Sequence, residues 1–257
     1  MKYPQKPFDI AMVISTTLQP TIKKTINSIF EQNYKGRIQV LVGIDKPLGN
    51  KDIIHELQNE CPENISITVI DLGYSTSVRH GGLYNNRCGG ALRTILTYAA
   101  NSRYVTYFDD DNWFAPHHVS DLLNAIHGYD WAFTYRWFVD EKTSQIICED
   151  KYFSAGPGKG FYKNSMDGFV DTNCLVIDKI RCHMILPLWC FGTMPDGSGD
   201  DRRIFKILNN NFKYNSTKRP SVYYVLDTAR YPEGTEWLRK KGYNRRSWMK
   251  RPRLFKK

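Results

Sequence analysis

Three consecutive aspartates, Asp109, Asp110 and Asp111, followed by Asn112, stand directly after the apolar run YVTYF at 104–108. Adjacent carboxylates repel one another, so a fold gains nothing from such a triplet unless a cation or water compensates. In an extended segment Asp109 and Asp111 face one side and Asp110 the other. Two carboxylates on one side make a hard oxygen site suited to Mg²⁺ or Mn²⁺, with positions left for substrate phosphates. The plainer alternative is an exposed acidic turn.

Such a site needs a frame, and the pattern of the chain supplies one. Residues 10–15 (IAMVIS), 38–44 (IQVLVGI) and 65–70 read as buried strands. Pro20 marks a helix start, and Ile22, Ile26, Ile29 and Phe30 give that helix one apolar face. Further helical patterns fall near 51–60, over 86–101 with Leu92, Ile95, Leu96 and Ala99 on one side, and over 119–126. Strand and helix in alternation predict an α/β fold: a Rossmann-like, mostly parallel central sheet with helices on both faces. Its ligand site belongs beyond the carboxyl ends of the strands, where Thr16, Asp45 and Asp109–Asp111 all fall. After residue 130 the pattern loosens. Residues 152–164, with Gly156, Gly158 and Gly160, read as a mobile loop; 169–177 and 222–226 read as strands, and 201–210 as a helix.

The 257 residues are 41% hydrophobic and 24% charged, the profile of an ordinary globular chain. The start lacks a secretory signal, and no apolar stretch of about 20 residues exists. Six cysteines without a CxxC pair read as reduced, core-filling thiols of a cytoplasmic protein; Cys182-His183 beside Cys190 lacks a standard zinc spacing. The net charge is +10, and the ten basic residues between 239 and 257 account for all of it. The chain therefore divides into a domain over 1–238 and a basic tail over 239–257. Such a tail suits peripheral contact with the anionic inner face of a membrane, or merely aids solubility.

Four segments in order carry a resemblance to a known family. MVISTTLQPTIKKTINSIFEQNY, IQVLVGIDKP, RCGGALRTILTYAANSRYVTYFDDDN and GSGDDRRIFKIL resemble the first strand and nucleotide loop, the second strand, the Arg helix with its DxD strand, and the later acidic motif of glycosyltransferase family 2. The similarity extends over most of residues 8–226 and implies the GT-A fold, with a nucleotide-sugar half over about 1–112 and an acceptor half over about 113–238. The implied activity is metal-dependent, inverting transfer of a sugar from a nucleoside-diphosphate donor, UDP-linked by expectation, to a hydroxyl of a glycan or glycolipid.

The resemblance also implies roles. Thr16 lines the nucleoside pocket, Asp45 bonds the uracil or ribose, and Arg93 stands near the diphosphate. Asp109 and Asp110 contact donor ribose or sugar, Asp111 binds the metal (Mn²⁺ or Mg²⁺), and Asp201 is the general base. Asp200 occupies the position where the family usually has Glu. The chain departs from the family pattern at Gly89-Gly90 and at Thr94, where Asn commonly follows the Arg. Each role has a bland rival: Asp45 as a turn residue before Lys46-Pro47, Arg93 as an exposed helix charge, Asp200 or Asp201 as a helix cap. Trp113 and Trp137 are suited to stack on sugar faces or to fill the core. Nucleotidyl transfer is disfavoured because STTLQP stands where a Gly-rich loop with Arg and Lys would follow the first strand. Nucleic-acid binding is disfavoured because charge in the first 238 residues is balanced.

Overall fold

The computed structural model describes residues 6–46, 48–87 and 89–241. Strands β1 (Phe8–Thr16), β2 (Ile38–Ile44), β3 (Ile65–Asp71) and β4 (Ser102–Phe108) run parallel in the order β3-β2-β1-β4. Helices α1 (Ile22–Phe30), α2 (Asp52–Asn59) and α3 (Gly90–Ala99) lie in the crossovers between them. Every residue of β2 is buried, because helices cover both faces of a parallel sheet and leave its strands apolar throughout. Ile22, Ile26 and Ile29 of α1 are fully buried, each worth roughly 1.5–3 kcal/mol of burial.

The chain then passes through β5 (Trp113–Phe114), α4 (His118–Ile126), β6 (Trp131–Asp140), β7 (Ile146–Glu149), β8 (Gly156–Pro157), α5 (Lys163–Met166), β9 (Gly168–Phe169) and β10 (Leu175–Asp178). It closes with α6 (Asp200–Asn211), β11 (Tyr214–Leu226) and α7 (Pro232–Lys241). The full nine-stranded sheet has the order β3-β2-β1-β4-β10-β6-β11-β5, with β7 on β6, while β8 and β9 form a separate ribbon. This second half is mixed: β10 is antiparallel to β4 and β6, whereas β11 is parallel to β6. The strand order reverses between β1 and β4, the switch point at which an open α/β sheet forms its crevice.

Several expected elements take a different form. The helix predicted over 86–101 begins only at Gly90, because Gly89 is left-handed (φ 67°) and the Asn86 side chain accepts the Gly90 N–H at 2.5 Å. The strand predicted over 169–177 is broken by a helical turn at Thr172–Cys174, where the Asp171 carboxylate accepts the Asn173 N–H. The glycine segment expected to be a mobile loop is tied down: Gly156 pairs with Phe169, Gly158 donates to Asp167, and Phe161 donates to Tyr152. Gly156 has φ 92° and lies against the Phe133 ring, a position that a side chain would strain. Strand β6 escaped the sequence pattern because it is buried on both faces and carries Arg136 inside.

Cys148, Cys174, Cys182 and Cys190 are buried free thiols, and Cys61 is partly buried. Helix α7 runs across residue 238, with Leu238 buried and Arg239 paired to Asp140. The basic stretch at 242–257, like Cys88, lies outside the described residues. Among the described residues no helix is long and apolar enough to cross a membrane.

One buried group makes the core sensitive to acid. His118 is fully buried, its Nδ1 is 2.8 Å from Ser221 Oγ, its ring stacks on Phe114, and Nε2 has no partner among the described residues. Burial, with His117 beside it, pushes its pKa down to about 3. The unfolded chain takes up this proton near 6.5 and the folded chain only near 3, so stability is lost as pH falls through that window. The slope from this one group is about 1.4 kcal/mol per pH unit. Urea unfolding at pH 6.5 and 4.5 should show that slope in the stability difference between the native chain and His118→Gln, since the raised carboxylates Asp111 and Asp201 titrate alike in both.

Candidate active site

The carboxyl ends of β1, β2 and β4 bring Thr16, Asp45 and the aspartate triplet together. Beyond Phe108 the chain leaves the extended conformation, and Asp110 and Asp111 form a turn. The predicted alternation therefore fails: Asp109 and Asp111 do not share a face by strand geometry. Asp109 turns to Arg93 Nη2 at 2.6 Å through one oxygen and to Asn173 Nδ2 at 2.9 Å through the other. Asp110 accepts the Thr16 hydroxyl, whose oxygen in turn accepts the Leu18 N–H at 2.8 Å. Leu18 is held at φ 63°, so this first loop is a constrained turn. Thr25 donates to the carbonyls of Asp110 and Asn112, and Asn112 Oδ1 accepts the Val225 N–H, which pins the triplet between α1 and β11.

Asp45 is buried, and its oxygens accept from Ser75 Oγ and the Thr76 N–H at 3.0 Å. It shapes the 75–77 loop, and among the described residues Oδ2 is engaged only by Ser75, at 3.1 Å.

Arg93 is not an exposed helix charge. It is 3% exposed, and besides Asp109 it faces Asp200 Oδ2 at 3.7 Å. Asp200, at the first turn of α6, is also buried, with Asn86 Nδ2 at 3.4 Å. Asp200 faces Arg93 and Asn86. Asp201, beside it, is half-buried and accepts the Arg202 N–H, a free donor of the first turn of α6, through Oδ1. Arg93 thus joins two acidic motifs 91 residues apart in the chain.

The cluster is strongly acidic for its surroundings. Burial, then Asp109 and Asp110, raises the Asp111 carboxyl to about 7. Burial, then Asp200 and Asp171, raises Asp201 to about 6. Asp110 is also raised, first by burial and against the pull of the Thr16 hydroxyl. Asp111 is solvent-exposed at its surface, yet protein surrounds it closely enough to weaken its hydration. Carboxylates so placed favour a bound cation. Among the described residues no three His, Cys, Asp or Glu side chains converge as a closed metal site, near Cys182-His183 or here. Both oxygens of Asp109 are committed, which leaves Asp111 as the available ligand. A single carboxylate with water and substrate phosphates is a usual Mg²⁺ arrangement, so this donor set fits a divalent ion held jointly with a ligand.

The sequence pattern did not disclose Asn86, Asp171 or Asn173. The polar trio Asp171-Thr172-Asn173 inside an apolar run was the available signal. Trp113 and Trp137 pack against protein groups. Lys24 Nζ sits over Trp113 at 3.1 Å, and Tyr223 stacks between the two indoles at 5.4 and 4.8 Å. A hollow of about 660 Å³ near Asp9, Tyr34 and His127 lies at the opposite ends of the strands, away from the carboxylates.

The family profile described as glycosyl transferase family 2 matches residues 11–146, a span that holds Thr16, Asp45, Arg93 and the triplet but not Asp200 or Asp201. Among curated proteins none matches by sequence. Among solved structures, S. aureus TarS is similar at TM-score 0.60 and 14% identity over 86% of this chain and 37% of that one. TarS 1–349 with UDP-GlcNAc gives 0.58 at 12% identity, over 85% of this chain and 58% of that one. TarS 1–349 with UDP gives 0.56 at 12% identity, over 91% and 65% respectively. Identity this low shows a shared fold, and the chain spans less than two thirds of each of these structures.

The junction of α3 with the site tolerates no extra atom at Gly90, where a Cβ would meet the Trp189 carbonyl oxygen at 1.9 Å and Asn86 Nδ2 at 2.3 Å. Gly90→Ala should cost about 1–3 kcal/mol in urea unfolding.

Proposed function

The chain belongs to glycosyl transferase family 2, and from that premise we propose that it transfers a sugar from a UDP-linked donor to a hydroxyl of a glycan or glycolipid acceptor, with inversion, in polysaccharide or glycoconjugate synthesis. The observation that carries this reading is the joining of the two acidic motifs through Arg93, whose guanidinium faces both Asp109 and Asp200. The UDP and UDP-GlcNAc complexes of the structurally similar TarS 1–349 support a uridine donor.

In this reading Thr16 and Asp45 line the nucleoside pocket at the switch point, and Asp110 orders the nucleotide loop through the Thr16 hydroxyl. Asp111 is the ligand for Mn²⁺ or Mg²⁺; when bound, that ion neutralises charge on the donor's diphosphate. Arg93, being buried, acts through Asp109 and Asp200 rather than by touching phosphate: it holds both carboxylates in place and lowers their mutual repulsion. Asp201 is the general base. Its pKa near 6 lies close to neutral operating pH, where a carboxylate is mostly ionised yet basic enough to take the acceptor's proton. The acceptor oxygen then attacks the anomeric carbon as the bond to the diphosphate breaks, and one displacement inverts that centre. The basic segment over 239–257 suits contact with anionic lipid near such an acceptor.

Two measurements test the reading. Calorimetry should show UDP binding strengthened by Mn²⁺ in the native chain and metal-independent in Asp111→Ala; no UDP binding by the folded native chain would overturn the proposal. Asp201→Asn should keep UDP affinity and lose about 10²–10⁴-fold in kcat. Because the base works unprotonated, kcat/KM of the native enzyme should fall as pH drops through about 6. That limb should vanish in Asp201→Asn.

A further inference from the structure

The aspartate triplet is held from behind by groups that no step above uses. Asn173 is fully buried, and all four of its hydrogen-bonding positions are filled. Its Oδ1 accepts the Asp109 N–H at 2.8 Å and faces Asn112 Nδ2 at 3.3 Å. Its Nδ2 donates to Asp109 Oδ2 at 2.9 Å and to Asp171 Oδ1 at 2.8 Å. The amide has one permitted orientation, since only its oxygen can receive the Asp109 N–H and only its nitrogen can face two carboxylates.

Asp171 is fixed in turn. Its N–H is accepted by Ser154 Oγ at 2.9 Å, and its Oδ2 lies 2.7 Å from Arg136 Nη1, an ion pair without hydrogen-bond alignment. Arg136 projects from β6, is 4% exposed, and lies over the Tyr224 ring at 3.9 Å. Its Nε donates to Asp150 at 2.8 Å. Asp150 is buried and also accepts the N–H groups of Tyr152, Phe153 and Ser154. Arg136 therefore cannot move without unpairing two carboxylates.

We propose that Arg136, Asp171 and Asn173 form a positioning relay that fixes the carboxylate of Asp109 on Arg93, and so sets the geometry of the donor side of the crevice. The proposal rests on the transferase reading for its kinetic consequence, but its structural consequence stands apart. Two buried arginines alternate with aspartates along one connected path, Asp150–Arg136–Asp171–Asn173–Asp109–Arg93–Asp200. Asn173 is the sole neutral member and the joint between the halves. Replacing its amide by a carboxylate sets three negative groups against one another at the same volume, and Asp109 has to leave.

Asn173→Asp and Arg136→Lys test the relay, with Lys206→Ala on the exposed face of α6 as a control. The expected result for Asn173→Asp is a crystal structure with the native fold in which Asp109 has left Arg93. With a UDP-sugar, KM for the donor should rise and kcat/KM fall about 10–100-fold, with KM for the acceptor unchanged. Arg136→Lys keeps the charge but loses the fork that spans Asp150 and Asp171, so it should show the same split in weaker form. A merely structural role would lower the Tm and the active fraction and leave both KM values native. Asp109 remaining 2.6 Å from Arg93 in the Asn173→Asp crystal would overturn the relay, as would native donor KM in both variants. A native chain without UDP binding would remove the transferase reading only, because the crystallographic comparison still decides the relay.

Discussion

A guanidinium enclosed between two carboxylates from distant parts of a chain loses most of its hydration, and only well-placed partners compensate for that loss. Arg93 is in this position, with Asp109 on one side and Asp200 on the other. Removing a carboxylate from a guanidinium so buried leaves its charge uncompensated, a loss that solvent tempers at Asp109, whose side chain is 40% exposed. The interaction therefore acts as a constraint on everything around it. Helix α3 has to lie low enough to bury the side chain, which explains the close contact of Gly90 with the Trp189 carbonyl. The start of α6 has to face the end of β4, since Asp200 and Asp109 meet the same guanidinium.

The same principle repeats at Arg136, which neutralises Asp150 and Asp171. Two cations are thus shared among four structural aspartates, and Asp110, Asp111 and Asp201 are left without a cation of comparable burial. Burial, and after it the neighbouring carboxylates, raises the pKa of each. A site arranged in this way divides labour between carboxylates. The ones locked by arginine hold shape, and the ones left over are available for a divalent ion, a substrate or a proton.

The fold supplies the platform on which this division is possible. Parallel strands β1 and β4 place Thr16 and the triplet at the reversal of strand order, where helices diverge to either side and leave a crevice. The mixed second half of the sheet is less regular because it serves a different purpose. Its β6 and β11 carry Arg136 and Tyr224 beneath the triplet, and the broken segment at 171–174 delivers Asp171 and Asn173 to it. Tight glycine positions at the ribbon and at the start of α3 let backbone approach backbone where side chains would collide.

How much of this the sequence determined by itself follows from the range of the interactions concerned. Hydrophobic period and turn residues act within a few positions, so β1, α1, β2 and β3 were legible nearly to the residue, and the Asp triplet announced a site because its repulsion is local. Asp201 and Arg93 were legible as candidates through motif order. Their partners were not. Asn173 and Arg136 look unremarkable along the chain, since an asparagine inside an apolar run and an arginine inside a strand acquire meaning only from what lies opposite. The rotation of Asp109 away from Asp111 was likewise decided in three dimensions. The turn at Asp110 is held by Thr16 and Thr25 from one side and Asn173 from the other, and none of these is a sequence neighbour. Local physics thus set the elements and named the acidic motifs. Which carboxylates are locked and which are free was decided by tertiary contacts, because pairing a buried charge depends on distance through space and not on separation along the chain.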